Sequence, residues 1–246
     1  MSKPDTVKGS RREFLFALGS AAALLAARPL PTQAAVAPLK IATIGSGHIG
    51  STLGSLWAQA GHPVMFSSRH PEELKDLVAG LGPLAHAGTV EEAIAFGDAV
   101  LLAVPYRALP QLGKDHAAAL AAKVLVLDAC NPIPARDGEI AAWAREKGAG
   151  LASAELLPGA RLVRAFNAIG YAKLPQAAHR QGERIGMPMA GDDANAIAVA
   201  SRLVREIGFE PVLVGPLAMG KYLIPGTPLA GEHTPQEIRR IVASLN

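Results

Sequence analysis

The feature that most constrains this chain is a glycine-rich turn between a strand-like run and a helix-like run. Residues 39–44 are apolar and favour a β-strand, and residues 51–60 have the apolar spacing of one helix face. The turn that joins them reads Gly45-Ser46-Gly47-His48-Ile49-Gly50. A strand that enters a helix through such a turn begins a β–α–β unit, so the helix must pack against a parallel sheet.

Each glycine of this turn has its own physical task. Gly45 permits a tight turn, Gly47 lets backbone N–H groups approach a pyrophosphate, and Gly50 lets the helix pack against the strand. The amino end of the helix carries a partial positive charge, which favours phosphates at that point. The turn therefore predicts a dinucleotide site of the Rossmann type. The alternative is a glycine-rich loop that serves only to reverse the chain.

The end of the second predicted strand, residues 63–68, bears on which dinucleotide would bind. A site selective for NAD usually has Asp or Glu there, whose carboxylate accepts from the ribose 2′-hydroxyl and repels a 2′-phosphate. This chain instead has Ser67, Ser68, Arg69 and His70. Two hydroxyls beside a guanidinium suit a phosphate dianion, so the sequence predicts NADP. The alternative is that Arg69 is a solvated loop residue.

Strand-like and helix-like stretches alternate along the rest of the chain. The further predicted strands are residues 98–104, 123–128, 161–166, 185–190 and 211–214. The predicted helices are residues 71–79, 90–96, 115–121, 139–147 and 193–207, with a last helix near residues 235–245. This alternation predicts an α/β fold with a Rossmann-like, doubly wound and mostly parallel sheet that carries helices on both faces.

In such a sheet the ligand lies beyond the carboxyl ends of the strands. Val104 and Pro105 follow one predicted strand and would turn the chain past a nicotinamide ribose, or would form an ordinary loop turn. Asn131 and Asn167 follow two others and can hydrogen-bond a carboxamide or a flat heterocycle, although Asn is also common in turns for backbone reasons. Cys130 is interpreted as a small apolar filler and not as a nucleophile.

The sequence predicts neither a metal site nor a catalytic acid–base pair. The seven histidines show no H-x-x-x-H spacing and no clustered carboxylates. Asp192 and Asp193 precede a predicted helix, so we interpret Asp192 as its N-cap and Asp193 as a first-turn residue. No catalytic residue is predicted.

The positive charge of the chain is confined to its beginning. Residues 1–37 contain five Lys and Arg and two Asp and Glu, which leaves 19 of each from totals of 24 and 21. Without a basic excess after residue 37, neither nucleic acid nor an anionic membrane is an expected partner.

The same segment has the order of an export signal. It reads Ser10-Arg11-Arg12-Glu13-Phe14-Leu15, followed by an apolar run to residue 27 and by small residues at 32–34 and 35–37 where cleavage could occur. Residues 14–27 are too few for a membrane span, which needs roughly 20. The segment resembles a bacterial twin-arginine signal and implies export by the twin-arginine translocase to the periplasm. The alternative is a disordered basic tail followed by an amphipathic helix, on a protein that stays in the cytoplasm.

From about Leu39 to Leu217 the chain resembles the NADPH-dependent reductases of the deazaflavin coenzyme F420, to which parts of pyrroline-5-carboxylate reductases and membrane ferric reductases are similar. The resemblance rests on seven motifs in order. They are Ile44-Gly45-Ser46-Gly47-His48-Ile49-Gly50, Ser68-Arg69, Ala103-Val104-Pro105-Tyr106, Leu157-Pro158-Gly159-Ala160, Arg164-Ala165-Phe166-Asn167, Gly191-Asp192-Asp193 and Val214-Gly215-Pro216-Leu217.

The resemblance implies a role for each part of the site. The phosphates would lie along residues 46–49, and Ser68 and Arg69 would hold the 2′-phosphate. The nicotinamide would be bordered by Ala103, Asn167, Ala168 and Ile169. The implied chemistry is hydride transfer between nicotinamide and a stacked flavin or deazaflavin ring, which needs orientation more than a protein acid or base.

The chain departs from that family in two places. His70 stands where a second basic residue often follows Arg69, and the tail from residue 218 onward differs from the helical ending of the coenzyme F420 enzymes.

These observations predict a layout and a function. Residues 1–37 form the signal, residues 38–217 the NADP-binding domain, and residues 218–246 a tail that completes it. The chain is expected to be an NADPH-dependent oxidoreductase acting on a small molecule, with coenzyme F420 or a flavin as second substrate. The alternative is a non-catalytic dinucleotide-binding or sensor protein, and the sequence leaves a homodimer open.

Overall fold

A computed structural model describes residues 37–245 of the chain. The predicted twin-arginine motif, its apolar run and the first candidate cleavage site lie outside the described residues. Within residues 37–245 no helix is long and apolar enough to cross a membrane.

One eight-stranded sheet organises the described residues. Its strands are β1 (Ile41–Ile44), β2 (Val64–Ser67), β3 (Ala85–Gly88), β4 (Ala99–Leu102), β5 (Leu125–Asp128), β6 (Leu162–Arg164), β7 (Gly186–Gly191) and β8 (Glu210–Gly215). They are ordered β3-β2-β1-β4-β5-β6-β7-β8. Every neighbouring pair is parallel except β6 with β7. The predicted Rossmann-like, mostly parallel sheet is therefore confirmed.

Helices cover both faces of this sheet. The α-helices are α1 (His48–Gln59), α2 (Lys75–Leu81), α3 (Val90–Phe96), α4 (Leu109–Ala121), α5 (Pro134–Asp137), α6 (Glu139–Lys147), α7 (Ala149–Leu156), α8 (Leu174–Ala177), α9 (Ala194–Glu206) and α10 (Pro235–Ala243). Short 3-10 helices occupy Pro71–Leu74, Tyr106–Ala108, Tyr171–Lys173 and Leu217–Tyr222.

Alternate residues of the central strands belong to two separate cores. In β4, Leu101 lies in the core that α1 and α9 cover, whereas Val100 and Leu102 lie in the core that α3 and α4 cover. Successive strand residues point to opposite faces, so a strand buried on both sides is apolar throughout. This is why these strands were visible in the sequence as continuous apolar runs.

Several elements differ from the sequence prediction, including the four-residue helices α5 and α8, which it lacks. The sequence predicts no strand at β3, because Ala-His-Ala-Gly contains none of the strand-favouring Val, Ile, Thr, Tyr, Phe or Trp. α7 was also missed, since Gly148, with a φ of 91°, separates it from α6 by a single residue. α4 begins six residues before the predicted residue 115, because Pro110 occupies its first turn, where proline is tolerated.

The interpretation of the two aspartates before α9 was wrong by one position. The N-cap is Asp193, whose carboxylate accepts from the backbone N–H of Ala196 at 2.7 Å. Asp192 instead accepts from the backbone N–H of Leu217 at 2.9 Å, because β7 runs on to Gly191 and the helix begins only at Ala194. Asp192 therefore joins the end of β7 to the first residue of the 3-10 helix Leu217–Tyr222.

The tail packs on the outer strands of the sheet. Leu223, Leu229 and Ile238 are buried against Val212 and Val214 of β8. α10 begins with a capping box in which Thr234 and Glu237 bond each other's backbone N–H groups. Three tail residues, Pro225, Gly226 and Ala230, line the site described next.

Candidate functional site

Two cavities meet at the carboxyl edge of the sheet. The first, here the β2-side cavity, has a volume of about 560 Å³ and is lined in part by Ser68 and Arg69. The second, the β6-side cavity, has a volume of about 590 Å³ and is lined in part by Asn131 and Asn167. Gly47, Ala103, Val104 and Pro105 line both. The two cavities therefore flank one strip of backbone, as the two halves of a dinucleotide site would.

The structure brings nearly all sequence-predicted residues to these walls. Gly45, Ser46, Ser68 and Arg69 line the β2-side cavity, and His48, Ile49, Asn131, Asn167, Ala168 and Ile169 line the β6-side cavity. Gly50 lines neither.

The glycines of the turn divide into two kinds. Gly45 has a φ of 95°, and a Cβ there would meet the Ala103 carbonyl oxygen at 2.7 Å. A Cβ on Gly50 would meet the Gly45 carbonyl oxygen at 1.9 Å, because the first turn of α1 packs on the loop. A Cβ on Gly47 would meet nothing within 4 Å. The protein itself thus requires glycine at 45 and 50, whereas Gly47 faces open space.

The amino end of α1 is available to an anion. Gly47 is its N-cap, so no side chain accepts from the first-turn N–H groups, and the first turn contains no acidic residue. Unpaired N–H groups and the dipole of a twelve-residue helix both favour a negative charge there. His48 and Ile49, the first two helical residues, line the β6-side cavity.

The β2-side cavity presents donors at the end of β2. Ser46 donates its hydroxyl to the Ser67 carbonyl at 2.9 Å, which ties the turn to β2. Ser68 accepts from the His70 backbone N–H at 3.0 Å, so its own hydroxyl proton is free to be donated. Within the part of the chain that the structure describes, Arg69 has no hydrogen-bond or ion-pair partner.

Two acidic side chains lie close to these donors. His70 faces Glu72 at 3.4 Å, with both side chains mostly exposed, and Glu73 lines the cavity itself. The lining of the β2-side cavity therefore contains an unpaired cation, Arg69, and a carboxylate, Glu73.

The β6-side cavity is held in shape by two asparagines that lock the ends of β5 and β6 together. Asn131 donates its Nδ2 to the Asn167 carbonyl at 2.8 Å, and Asn167 donates its Nδ2 to the Cys130 carbonyl at 3.2 Å. Reversing either amide would place oxygen against oxygen, so both orientations are determined. Both Oδ1 atoms are buried and accept no hydrogen bond within residues 37–245. Buried polar atoms without partners are costly, and a ligand N–H would satisfy them.

A buried ion pair supports this region from beneath. Arg164 contacts Asp128 through Nη1, and neither side chain is exposed to solvent. The Nη2 of Arg164 donates to the carbonyls of Cys130 at 3.1 Å and Leu223 at 3.4 Å. One guanidinium thus connects β5, β6 and the tail. This explains why the tail lies close enough to line the cavity.

Two residues that drew attention in the sequence are structural. Cys130 is buried, and desolvation raises the pKa of its thiol well above the ordinary value. Burial likewise raises the pKa of Tyr106, whose hydroxyl bonds the Ala149 carbonyl and Ser153. Neither group is suited to proton transfer near neutral pH.

Sequence reasoning missed part of the β6-side wall. Tyr171 stacks on His48 with ring centroids 4.3 Å apart and planes 7° from parallel. It stands two positions after Ile169, which the sequence resemblance places beside the nicotinamide, and this proximity was a usable signal. Pro225, Gly226 and Ala230 of the tail also line the cavity, together with Arg136. No motif marks the tail residues, because the contacts of Arg164 with Leu223 and of Gly231 with Ala168 place them there.

The arrangement is suited to binding and orienting flat ligands. The lining of the β6-side cavity contains no carboxylate, and its ionisable side chains are His48, Arg136 and Tyr171. No group of His, Cys, Asp and Glu in residues 37–245 could hold a metal ion.

Comparison with known families gives one match. Residues 40–132 match the family described as NADP oxidoreductase, coenzyme F420-dependent. The matched segment runs from the start of β1 to just beyond Asn131, so it includes the whole glycine turn and Arg69. It ends before β6. A search of curated proteins found no match.

Solved structures with the same fold extend the likeness. A hypothetical protein from Sinorhizobium meliloti is 26% identical with a TM-score of 0.62, and the match covers 81% of this chain and 96% of that one. A candidate F420-dependent NADP reductase from Arthrobacter sp. FB24 is 22% identical with a TM-score of 0.61, covering 74% and 87%. An imine reductase from Myxococcus stipitatus, solved with NADP+, is 21% identical with a TM-score of 0.53, covering 75% and 58%. Taken with the family match, these likenesses support an NAD(P)-dependent oxidoreductase and leave its acceptor unassigned.

Proposed function

We propose that this protein binds NADP(H) and transfers hydride between the nicotinamide and the ring of a flavin or a deazaflavin such as coenzyme F420. The observation that carries the proposal is the order of groups along the edge of the sheet. An unpaired guanidinium, an uncapped helix end and two unpartnered amide oxygens follow one another across the two cavities. NADP has a phosphate, a pyrophosphate and a carboxamide in the same order.

Each half of the cofactor has a set of residues suited to it. In the proposed pose, Ser68 and Arg69 hold the 2′-phosphate through charge-assisted hydrogen bonds. The first-turn N–H groups of α1 hold the pyrophosphate above Gly47, where an added Cβ would have open space.

The nicotinamide half lies in the β6-side cavity. Ala103, Val104 and Pro105 pass beneath its ribose, and Asn131 and Asn167 accept from its carboxamide with their Oδ1 atoms. Ala168 and Ile169 border the ring. A carboxamide N–H2 has two protons, which matches two acceptor oxygens of fixed orientation.

Bound NADPH supplies the hydride, and the chain supplies position and exclusion of water. Hydride transfer between two aligned rings moves one hydrogen nucleus and two electrons directly, so no protein acid or base is required for that step. The absence of a carboxylate from the lining of the β6-side cavity, within the residues described, agrees with this chemistry.

Turnover on purified protein tests the proposal. NADPH oxidation should be followed at 340 nm with coenzyme F420, FMN, FAD and ferric chelates as separate acceptors. Oxidation that depends on a ring acceptor is the expected result. Tight binding of NADP+ without oxidation by any of these acceptors would contradict the enzyme and favour a non-catalytic binding or sensor protein. The lack of a carboxylate in the described lining of the β6-side cavity is also consistent with that second candidate.

We further propose that the chain is exported by the twin-arginine pathway. The support lies in the sequence alone, in Arg11 and Arg12 before an apolar run of insufficient length for a span. The mass of the mature N-terminus in cell fractions tests this, and Lys at both positions should hold the protein in the cytoplasm. An intact N-terminus on periplasmic protein would contradict cleavage, and unchanged export of the Lys variant would contradict the pathway.

A further inference from the structure

The β6-side cavity has a cationic group at its mouth that the proposed pose of NADP does not use. Arg136, in α5, lines the cavity, and its side chain is 37% exposed. Its Nε and Nη2 donate to Asp137, and Nη2 also donates to the Asn131 carbonyl at 2.8 Å. Nη1 has no partner within residues 37–245. One edge of the guanidinium is therefore fixed by the protein, while the other edge remains able to donate.

Asp137 is what fixes Arg136. Its side chain is fully buried, and its carboxylate also accepts from the backbone N–H of Ile133 at 3.0 Å and of Arg107 at 3.4 Å. Burial alone would raise its pKa, but the hydrogen bonds from Arg136, Ile133 and Arg107 outweigh burial and hold the pKa below its usual value. The carboxylate therefore stays charged at neutral pH and orients the guanidinium.

The charges around Asp137 do not cancel. The Arg107 guanidinium lies 3.9 Å from Asp137 and donates to the Arg136 carbonyl, so two cations share one carboxylate. Arg107 lines the β2-side cavity and Arg136 the β6-side cavity. In the described lining of the β6-side cavity, Arg136 is the one Lys, Arg, Asp or Glu side chain. The mouth of that cavity is thus net positive.

The same mouth has an unusual apolar surface. Ile133 and Tyr171 are among the few large hydrophobic side chains of residues 37–245 that are well exposed, at 40% and 46%. Both line the β6-side cavity, and Tyr171 is held flat by its stack on His48. Exposed apolar side chains beside the oriented guanidinium of Arg136 suit a flat ring that carries a negative group on its side chain.

We infer that Arg136 anchors the anionic side chain of the hydride acceptor, and that the acceptor is a flat heteroaromatic ring bearing a phosphate. This inference rests on the proposed function and adds the charge of the acceptor and the residue that selects it. The ring would lie between Ile133 and Tyr171 over the nicotinamide, and Nη1 of Arg136 would donate to the phosphate. Free Nη1 protons and a fixed guanidinium plane favour such a charge-assisted contact.

Paired acceptors with and without a phosphate-bearing side chain provide the test. FMN and riboflavin form one pair, and coenzyme F420 and its phosphate-free deazaflavin form the other. Binding of each to the NADP+-loaded protein should be measured by calorimetry. The phosphate-bearing member of at least one pair should bind more tightly in the unaltered protein, and raised ionic strength should weaken that member alone.

Substitution of the guanidinium then assigns the effect to its residue. R136Q should weaken binding of the phosphate-bearing member roughly tenfold, leave its phosphate-free partner unchanged and leave NADP+ affinity unchanged. Because R136Q leaves Asp137 buried with less compensation, the double variant R136Q/D137N removes both charges and should show the same selective loss. R145Q, at an exposed position of α6 outside both cavities, is the matched control and should change nothing.

Three outcomes would overturn the inference. They are equal affinity for both members of each pair, no binding of any of the four rings, and a loss of NADP+ affinity in R136Q/D137N. The proposed function fails separately, when NADPH is not oxidised by any ring acceptor. A protein that oxidises NADPH equally well with riboflavin and FMN would keep its proposed function and lose this inference.

Discussion

The two cavities differ in how the chain builds them. The β2-side cavity is formed mostly by residues 44–74, which are close in sequence and lie inside the segment that matches a known family. The β6-side cavity draws its wall from α1, the ends of β4, β5 and β6, and the tail, and part of that wall lies outside the matched segment. The β2-side cavity is thus formed mostly by residues close in sequence, whereas the β6-side cavity is formed by residues that are distant in sequence.

This difference corresponds to two tasks of the proposed site, which are binding the dinucleotide and binding the acceptor. The pyrophosphate is common to NAD and NADP, so its contacts can be carried by one turn and one strand end. An acceptor varies, so its contacts are expected on loops that can change without disturbing the glycine turn. The comparison therefore predicts that substitutions on the two sides fail in different ways.

The largest expected effect comes from the ion pair beneath the β6-side cavity. Arg164→Met leaves the Asp128 carboxylate buried without its counter-ion, with the Cys130 backbone N–H as its remaining donor, so the free energy of unfolding should fall by about 3–5 kcal/mol. Urea unfolding measures it, with R145M as the exposed control. A loss below about 1 kcal/mol would show that the pair does not hold the two strand ends together.

The next largest effects are expected at Gly50 and Gly47, where substitution should reduce stability and NADP+ binding, respectively. Gly50→Ala places a Cβ against the Gly45 carbonyl and should lower the free energy of unfolding by about 3 kcal/mol. Gly47→Ala should leave stability within about 0.5 kcal/mol but weaken NADP+ binding about tenfold or more, because its Cβ would enter the space assigned to the phosphates. Thermal unfolding and calorimetry on both variants check this. Equal destabilisation of the two variants would remove the distinction.

A smaller effect is expected at the 2′-phosphate. Arg69→Ala should weaken NADP+ binding by about 2 kcal/mol, or roughly thirtyfold, and leave NAD+ binding unchanged. Titration of both dinucleotides into this variant and into R145A measures the preference. If the preference for NADP+ over NAD+ is the same in Arg69→Ala as in the unaltered protein, Arg69 does not recognise the 2′-phosphate.

The smallest effect on dinucleotide binding is expected in the β6-side cavity. Asn131→Ala removes one acceptor for the carboxamide and should weaken NADP+ and NAD+ equally, by about 1 kcal/mol or fivefold. The same titrations apply. A change for one dinucleotide only would mean that Asn131 acts on the 2′-phosphate side, against the division of the two cavities.

The sequence was sufficient for the elements whose signal is local. The turn at residues 45–50 and the buried strands were visible because their residue types follow from backbone geometry and from burial on both faces. β3 was not visible, because an edge strand of Ala, His and Gly needs only the register of its neighbour β2 to form. The N-cap of α9 was misplaced by one residue, since either aspartate could cap and only the length of β7 decides.

The candidate site divides in the same way. Ser68, Arg69, Asn131 and Asn167 could be named from the sequence because they stand at strand ends, where ligands bind in this fold. Arg136 could not be assigned a role from the sequence, because the orientation of its guanidinium depends on the buried carboxylate of Asp137 beside it. The tail residues depend on Arg164 reaching the Leu223 carbonyl across 59 positions of sequence.

A crystal structure of the protein with NADP+ tests the central claim most directly. We expect one dinucleotide across both cavities, with the 2′-phosphate in hydrogen-bond contact with Arg69 and the carboxamide in contact with the Oδ1 atoms of Asn131 and Asn167. A nicotinamide outside the β6-side cavity, or an adenosine within it, would contradict the account.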